Sequence, residues 1–148
     1  MSLLMNIHYI NSCLSVVCDV ESDMFNRSLW ALFRNRNYEG NGHKLGVTVL
    51  KLEELLAELE KTNNDHAGIS RVIDDAIEYT RALLASTAQL RYLNQKLSRK
   101  AKALPYSMGD YNQDFREFKM LQNHYLILGD RLNTDYKLYA HQIALLDN

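Results

Sequence analysis

The sequence predicts an all-α protein, an up-down helical bundle built on a long antiparallel helical hairpin over about 66–104 and 107–147. Three observations carry that expectation. In the first arm Ile69, Ala76, Leu83, Leu90, Leu97 and Leu104 recur every seven residues, all apolar. In the second arm Tyr111, Phe115, Phe118, Leu121, Tyr125, Leu128, Leu132, Tyr136, Tyr139, Ile143 and Leu146 recur at steps of three or four, the spacing of a seam between supercoiled helices. Six glycines and a single proline in 148 residues are too few for the turns of a sheet protein.

The elements follow in order. Leu3, Ile7, Ile10, Leu14 and Val17 alternate by four and three, an amphipathic stripe that predicts a helix over 3–18. No basic residue precedes it, and Asn6, His8 and Asn11 interrupt it, so neither a signal peptide nor a membrane span is expected. Ser22 and Asp23 are N-cap types for a helix over 23–36, with Phe25, Leu29, Leu32 and Phe33 inward and Trp30 beside them. Gly40, Gly42 and Gly46 predict a loop over 37–46. A third helix, 47–62, lines up Val49, Leu52, Leu55, Leu56 and Leu59. Asn63 and Asn64 make a turn, and Asp65 is the expected N-cap of the fourth helix. Pro105 ends that helix, and Ser107 with Asp110 opens the fifth as a capping pair. Nothing marks a linker or repeat, so 1–148 reads as a single all-helical domain.

Length locates the expected site. The two hairpin arms are each on the order of 55–60 Å long at the helical rise, whereas a compact chain of this size is about 40 Å across. The third helix can shelter only the half of the hairpin nearest Asn63. The tip would then display Leu97, Leu104, Tyr106, Tyr111, Phe115 and Phe118, an apolar surface that must be covered. Either the first two helices reach it or another chain does. The reading that follows is a non-catalytic bundle acting through protein–protein contacts, as an adaptor, a chaperone-like binder or a dimeric scaffold. Its expected partners are a protein, a second copy in a homodimer, or both.

Other chemistry is thinly represented. Charged residues make up 24% and the formal net charge is −1, which argues against nucleic acid or an anionic membrane as partner. Arg91, Lys96, Arg99, Lys100 and Lys102 form the one basic run, at a helix C-terminus where the dipole favours cations. Asp110, Asp114 and Glu117 on the returning arm are expected to pair with them. Cys13 and Cys18 stand five apart, wide of each other around a helix, and read as buried thiols of a reducing cytoplasm. His8, His43, His66, His124 and His141 lack the spacing by which one helix face presents two ligands, so no metal and no cofactor are expected.

Two alternatives remain. Arg36-Asn37 followed by His43 resembles the arginine, polar residue and spaced histidine of the HEPN family, all-helical domains many of which are metal-independent ribonucleases. The resemblance covers eight residues. It implies a dimer cleft in which Arg36 would stabilise a phosphate and His43 would serve as acid or base. Without it, Arg36 complements a helix C-terminus beside a solvent loop. A third reading starts from Thr87 and Asn94, polar residues within the hairpin seam. They either fix register or line the pocket of a small-ligand sensor.

Overall fold

The computed structural model describes residues 2–25 and 37–146, all helix apart from short connections and caps. Among the described residues four helices run in order: α1 Leu3–Phe25, α2 Tyr38–Glu60, α3 Ala67–Ala101 and α4 Met108–Leu145. Each packs against its neighbours in opposite sense. Asp23 at the end of α1 accepts from Asn41 at the start of α2 (2.7 Å), and Glu60 at the end of α2 pairs with Arg81 of α3 (3.0 Å). Gln89 of α3 donates to the Asp114 carbonyl of α4 (3.0 Å), while Gly68 at the other end lies against the Tyr139 ring. The architecture is an all-α bundle with a common interior, as the apolar periodicity predicts.

Differences from the predicted elements lie toward the N-terminus. α1 does not stop at 18. Val20 and Met24 continue the buried stripe Leu3, Asn6, Ile10, Cys13, Val17 in unbroken steps of three and four, and the helix runs on to Phe25. The predicted second helix therefore begins inside α1, and its remainder, 26–36, lies outside the described residues. By length and composition α1 could cross a membrane, a property the polar interruptions had argued against; in the bundle its inward stripe is buried.

The predicted loop over 37–46 is helical from Tyr38 onward. Asn37 caps it, its side-chain oxygen accepting from the Gly40 amide (2.9 Å). Glycine costs a helix interior about 1 kcal/mol each, and close packing offsets that here. A Cβ on Gly42 would stand 3.2 Å from Asn94, and one on Gly46 would stand 3.3 Å from Arg91. The bare side of α2 lets its backbone approach α3 closely enough for Asn94 to donate to the Tyr38 carbonyl (2.8 Å).

Caps at the remaining ends follow local chemistry. His66, not Asp65, caps α3: its Nδ1 accepts from the Gly68 and Ile69 amides (3.1 and 3.3 Å). α3 ends at Ala101, three residues before the expected Leu104. The Ala103 amide bonds the Lys100 carbonyl and the Leu104 amide bonds the Arg99 carbonyl (3.0 and 2.9 Å), a closing turn that puts Ala103 at φ 62. Pro105, with no amide hydrogen and an extended preference for the residue before it, forces that early stop. Ser107 then caps α4, accepting from the Asp110 amide at 3.0 Å.

The core has two parts. The larger joins Leu52, Leu55, Leu59, Ile69, Val72, Leu83, Tyr125 and Ile143 from α2, α3 and α4 with Ile10 of α1. The smaller, toward the tip, joins Val17, Val20 and Met24 with Leu45, Leu90, Leu93 and Phe118. α1 thus reaches the half of the α3–α4 pair that α2 was expected to leave bare.

Candidate functional site

Of the helix pairs that touch among the described residues, α1 and α4 are the least closely joined, and the way they separate makes the site. Near the end of α1 they are tied: Glu21 accepts from Gln122 (2.7 Å) and from Lys119 (3.2 Å), and the Phe25 and Phe115 rings meet edge to face at 5.1 Å. Towards Leu3 they part. Among the described residues no hydrogen bond or ion pair links 3–14 to α4. Between them opens a groove of about 510 Å³.

Two parallel ridges bound it. One carries Leu4, Ile7, His8, Asn11 and Leu14 of α1, the other Leu126, Gly129, Asp130, Asn133 and Tyr136 of α4, each at helical steps of three and four. Tyr79, Tyr125 and Leu132 make the floor. Gly129 sets its depth. A Cβ there would stand 2.9 Å from the Tyr79 ring, so only glycine lets that ring lie under α4. Burial pushes the Tyr79 hydroxyl well above the ordinary tyrosine range, with the nearby Tyr125 adding to the shift, and both phenols stay neutral. The groove is an apolar trough with a mixed polar rim of His8, Asn11, Asp130 and Asn133. It contains no nucleophile–base pair.

The six tip residues separate into inward and outward ones. Phe118 is wholly enclosed by the tip core and is withdrawn from any contact surface. The reason is the reach of α1, whose Val17, Val20 and Met24 pack beside it. Leu97, Tyr111 and Phe115 are half-buried against the same core or its edge, and Tyr106, Tyr111, Phe115 and Phe118 form a chain of ring contacts, centroids 5.9–6.5 Å apart. Tyr106 donates to the Asp114 carboxylate at 2.7 Å, and burial with that bond raises its hydroxyl far above the usual value. Leu104 alone of the six is exposed, at 50%. The expected ion pairs across the tip do not form among the described residues; Asp114 takes the Tyr106 hydroxyl and Lys96 lies over the Tyr92 ring (5.3 Å).

Thr87 and Asn94 are both buried. Thr87 satisfies its hydroxyl on the Leu83 carbonyl one turn back (2.7 Å), and Asn94 holds α2 through the Tyr38 carbonyl. The Asn94 side-chain oxygen is buried without a partner. His43 is exposed on α2, within helix rather than loop. Arg36 lies outside the described residues.

One titratable cluster is perturbed. Asp75 of α3 is buried, 3.2 Å from Arg131 Nε of α4, which also pairs with Glu78. Burial, a hydrogen bond with Asp135 and that neighbour's charge push its carboxyl up to about 7 against the pull of Arg131. The second Asp75 oxygen meets no donor, and only a shared proton lets it bond Asp135. The cluster sits on the outer side of the α3–α4 contact and fastens the two helices. Among the described residues no group of three His, Cys, Asp or Glu side chains is placed to hold a metal ion.

Sequence reasoning missed the groove because each ridge reads as part of a core stripe. One signal was available: Gly129, an isolated glycine within an otherwise strongly patterned helix, marks a close approach. Fold and site together define a helical-bundle protein with a two-walled apolar groove. Comparison with protein families, with curated proteins and with solved structures finds no match to this chain.

Proposed function

We propose that the protein is a non-catalytic binding module whose groove between α1 and α4 receives an amphipathic helix from a partner protein. The observation that carries this is the divergence of α1 from α4, tied at Glu21 and open beyond Leu14. It leaves the seat a further helix would occupy in a larger bundle. Ridges at three-and-four spacing on both walls match the knobs of a helix laid along them. From Leu4 to Leu14, and from Leu126 to Tyr136, each wall is about 15 Å long, which accommodates roughly three helical turns. An apolar floor supplies affinity, and the polar rim sets orientation.

The test is mapped photo-crosslinking in the cells that make the protein. A photoreactive side chain is placed at Leu126 or Asn133, with Glu54 on the exposed side of α2 as control. The expected adduct forms at 126 and 133 and not at 54. Its crosslinked segment, made as a peptide, gains helix on binding and fails to bind a Gly129→Trp variant that fills the trough. Adducts independent of position, or a peptide indifferent to Gly129→Trp, would refute the proposal.

A further inference from the structure

The α4 wall of the groove is held from behind. With no hydrogen bond or ion pair to 3–14 of α1, its polar anchorage among the described residues is to α3 alone. That anchorage is one cluster. Arg131 Nε pairs with Asp75 at 3.2 Å, and the same guanidinium reaches Glu78. Asp135, one turn after Arg131, meets the Asp75 carboxyl. Among the described residues no other hydrogen bond or ion pair links α3 to 125–145 of α4. The cluster is level with the trough: Asp75 stands one turn before Tyr79 of the floor, and Asp135 adjoins Tyr136 of the wall.

Its charges do not balance. Glu78 on the same helix and Asp135 on α4 share a single guanidinium with Asp75, and among the described residues α1 and α2 add no charged group. Asp75 is buried, with one oxygen enclosed and met by no donor. When both aspartates are ionised they repel each other across the helix contact. When they share one proton, that repulsion becomes a hydrogen bond between α3 and α4. A fastening that closes only while it holds a proton responds to pH.

We propose that the Asp75–Asp135 pair is a proton-operated clasp that regulates the groove: the shared proton draws the α4 wall onto α3 and fixes the trough, and its loss frees that wall. Regulation of binding rests on the groove being the binding site, whereas the clasp itself does not. The sign follows from the displacement of the Asp75 carboxyl. Burial and Asp135 raise it to about 7, so the proton is held in mildly acidic solution and leaves as pH rises past neutral. Leu128 and Leu132 stay packed in the core, and the ties at Glu21 and Gln89 hold the tip half of α4. The change is therefore local opening of the wall and not unfolding of the bundle.

Amide hydrogen exchange on the full chain, corrected for intrinsic exchange, tests this between about pH 6 and about pH 8. Protection at 126–136 of α4 is expected to fall about tenfold more than protection at 48–59 of α2. Spin labels on His8→Cys and Asn133→Cys, in a Cys18→Ser background, read the width of the groove. They should give one narrow distance at the lower pH and a broader, longer distribution at the higher. Asp75→Asn should abolish both differences, because its amide donates to Asp135 without a titrating proton. Asp135→Asn should do the same, and decides the matter if Asp75→Asn folds poorly. Equal loss of protection in every helix, a wall indifferent to pH, or differences that survive both substitutions would overturn the clasp. These readouts need no ligand, so their failure is distinct from failure of the groove as a binding site, which the position-dependent crosslinks decide.

Discussion

Replacing Asp75 with asparagine should stabilise the protein in mildly alkaline solution and do little in mildly acidic solution. Asp75 is only 6% exposed, one oxygen meets no donor, and its carboxyl is pushed up to about 7 by burial and by Asp135. Between the ordinary carboxylate range and that value the folded protein holds a proton that the unfolded chain has released. Unfolding then releases a proton, so stability falls as pH rises through this window and the loss is complete above the folded value. A displacement of about three units at ~1.4 kcal/mol each bounds the effect near 4 kcal/mol. Arg131, half in solvent, screens part of it, so a loss of about 2 kcal/mol between pH ~5 and pH ~8 is expected. Asparagine keeps the shape and can donate to Asp135, copying the protonated form. Urea unfolding of Asp75→Asn and wild type at both pH values measures the difference. If the variant is destabilised equally at both, or if wild-type stability rises across the window relative to it, the account of Asp75 as a buried proton-holding carboxyl is wrong.

Other changes test the caps and cores. Ala103→Gly should raise stability by about 0.5–1 kcal/mol in the same urea assay, because Ala103 occupies the left-handed region at φ 62 that glycine enters freely. Phe118→Ala should cost about 3–5 kcal/mol, since the ring is wholly enclosed by Val17, Val20, Met24, Leu90 and Leu93; a cost below ~1 kcal/mol would mean that α1 does not pack there. Asn6→Leu should stabilise by about 1–2 kcal/mol, because both polar atoms of Asn6 are buried without partners; a loss instead would reveal a bound water or another partner for that amide.

The helical class was legible because the C-terminal segments bury one broad face each, so Ile69, Leu83, Leu90, Tyr125 and Ile143 advertise their packing by spacing alone. The α2 start was not legible. Three glycines look like a loop until the third dimension shows Gly42 and Gly46 pressed on Asn94 and Arg91. Asn6 reads as an interruption of α1, yet it is buried, because packing on two neighbouring helices widens the buried face beyond the obvious apolar residues. The site was hidden for a related reason. A stripe records that a face is covered, not by which helix, so the gap between α1 and α4 leaves no periodic trace.

Competing surfaces can be separated by a single exposed side chain at the tip. Leu104 follows the residue that closes α3 and is half exposed, whereas Tyr106, Tyr111, Phe115 and Phe118 form a chain of ring contacts and are more buried. If the tip were the contact surface, Leu104→Glu would place a charge in its middle, and desolvating that charge would weaken binding by several kcal/mol. If binding runs through the groove, Leu104 lies beyond the contact and the same charge is solvated in both states. Leu104→Glu is therefore expected to leave binding of the crosslinked peptide unchanged while Gly129→Trp abolishes it. The reverse pattern would move the contact to the tip.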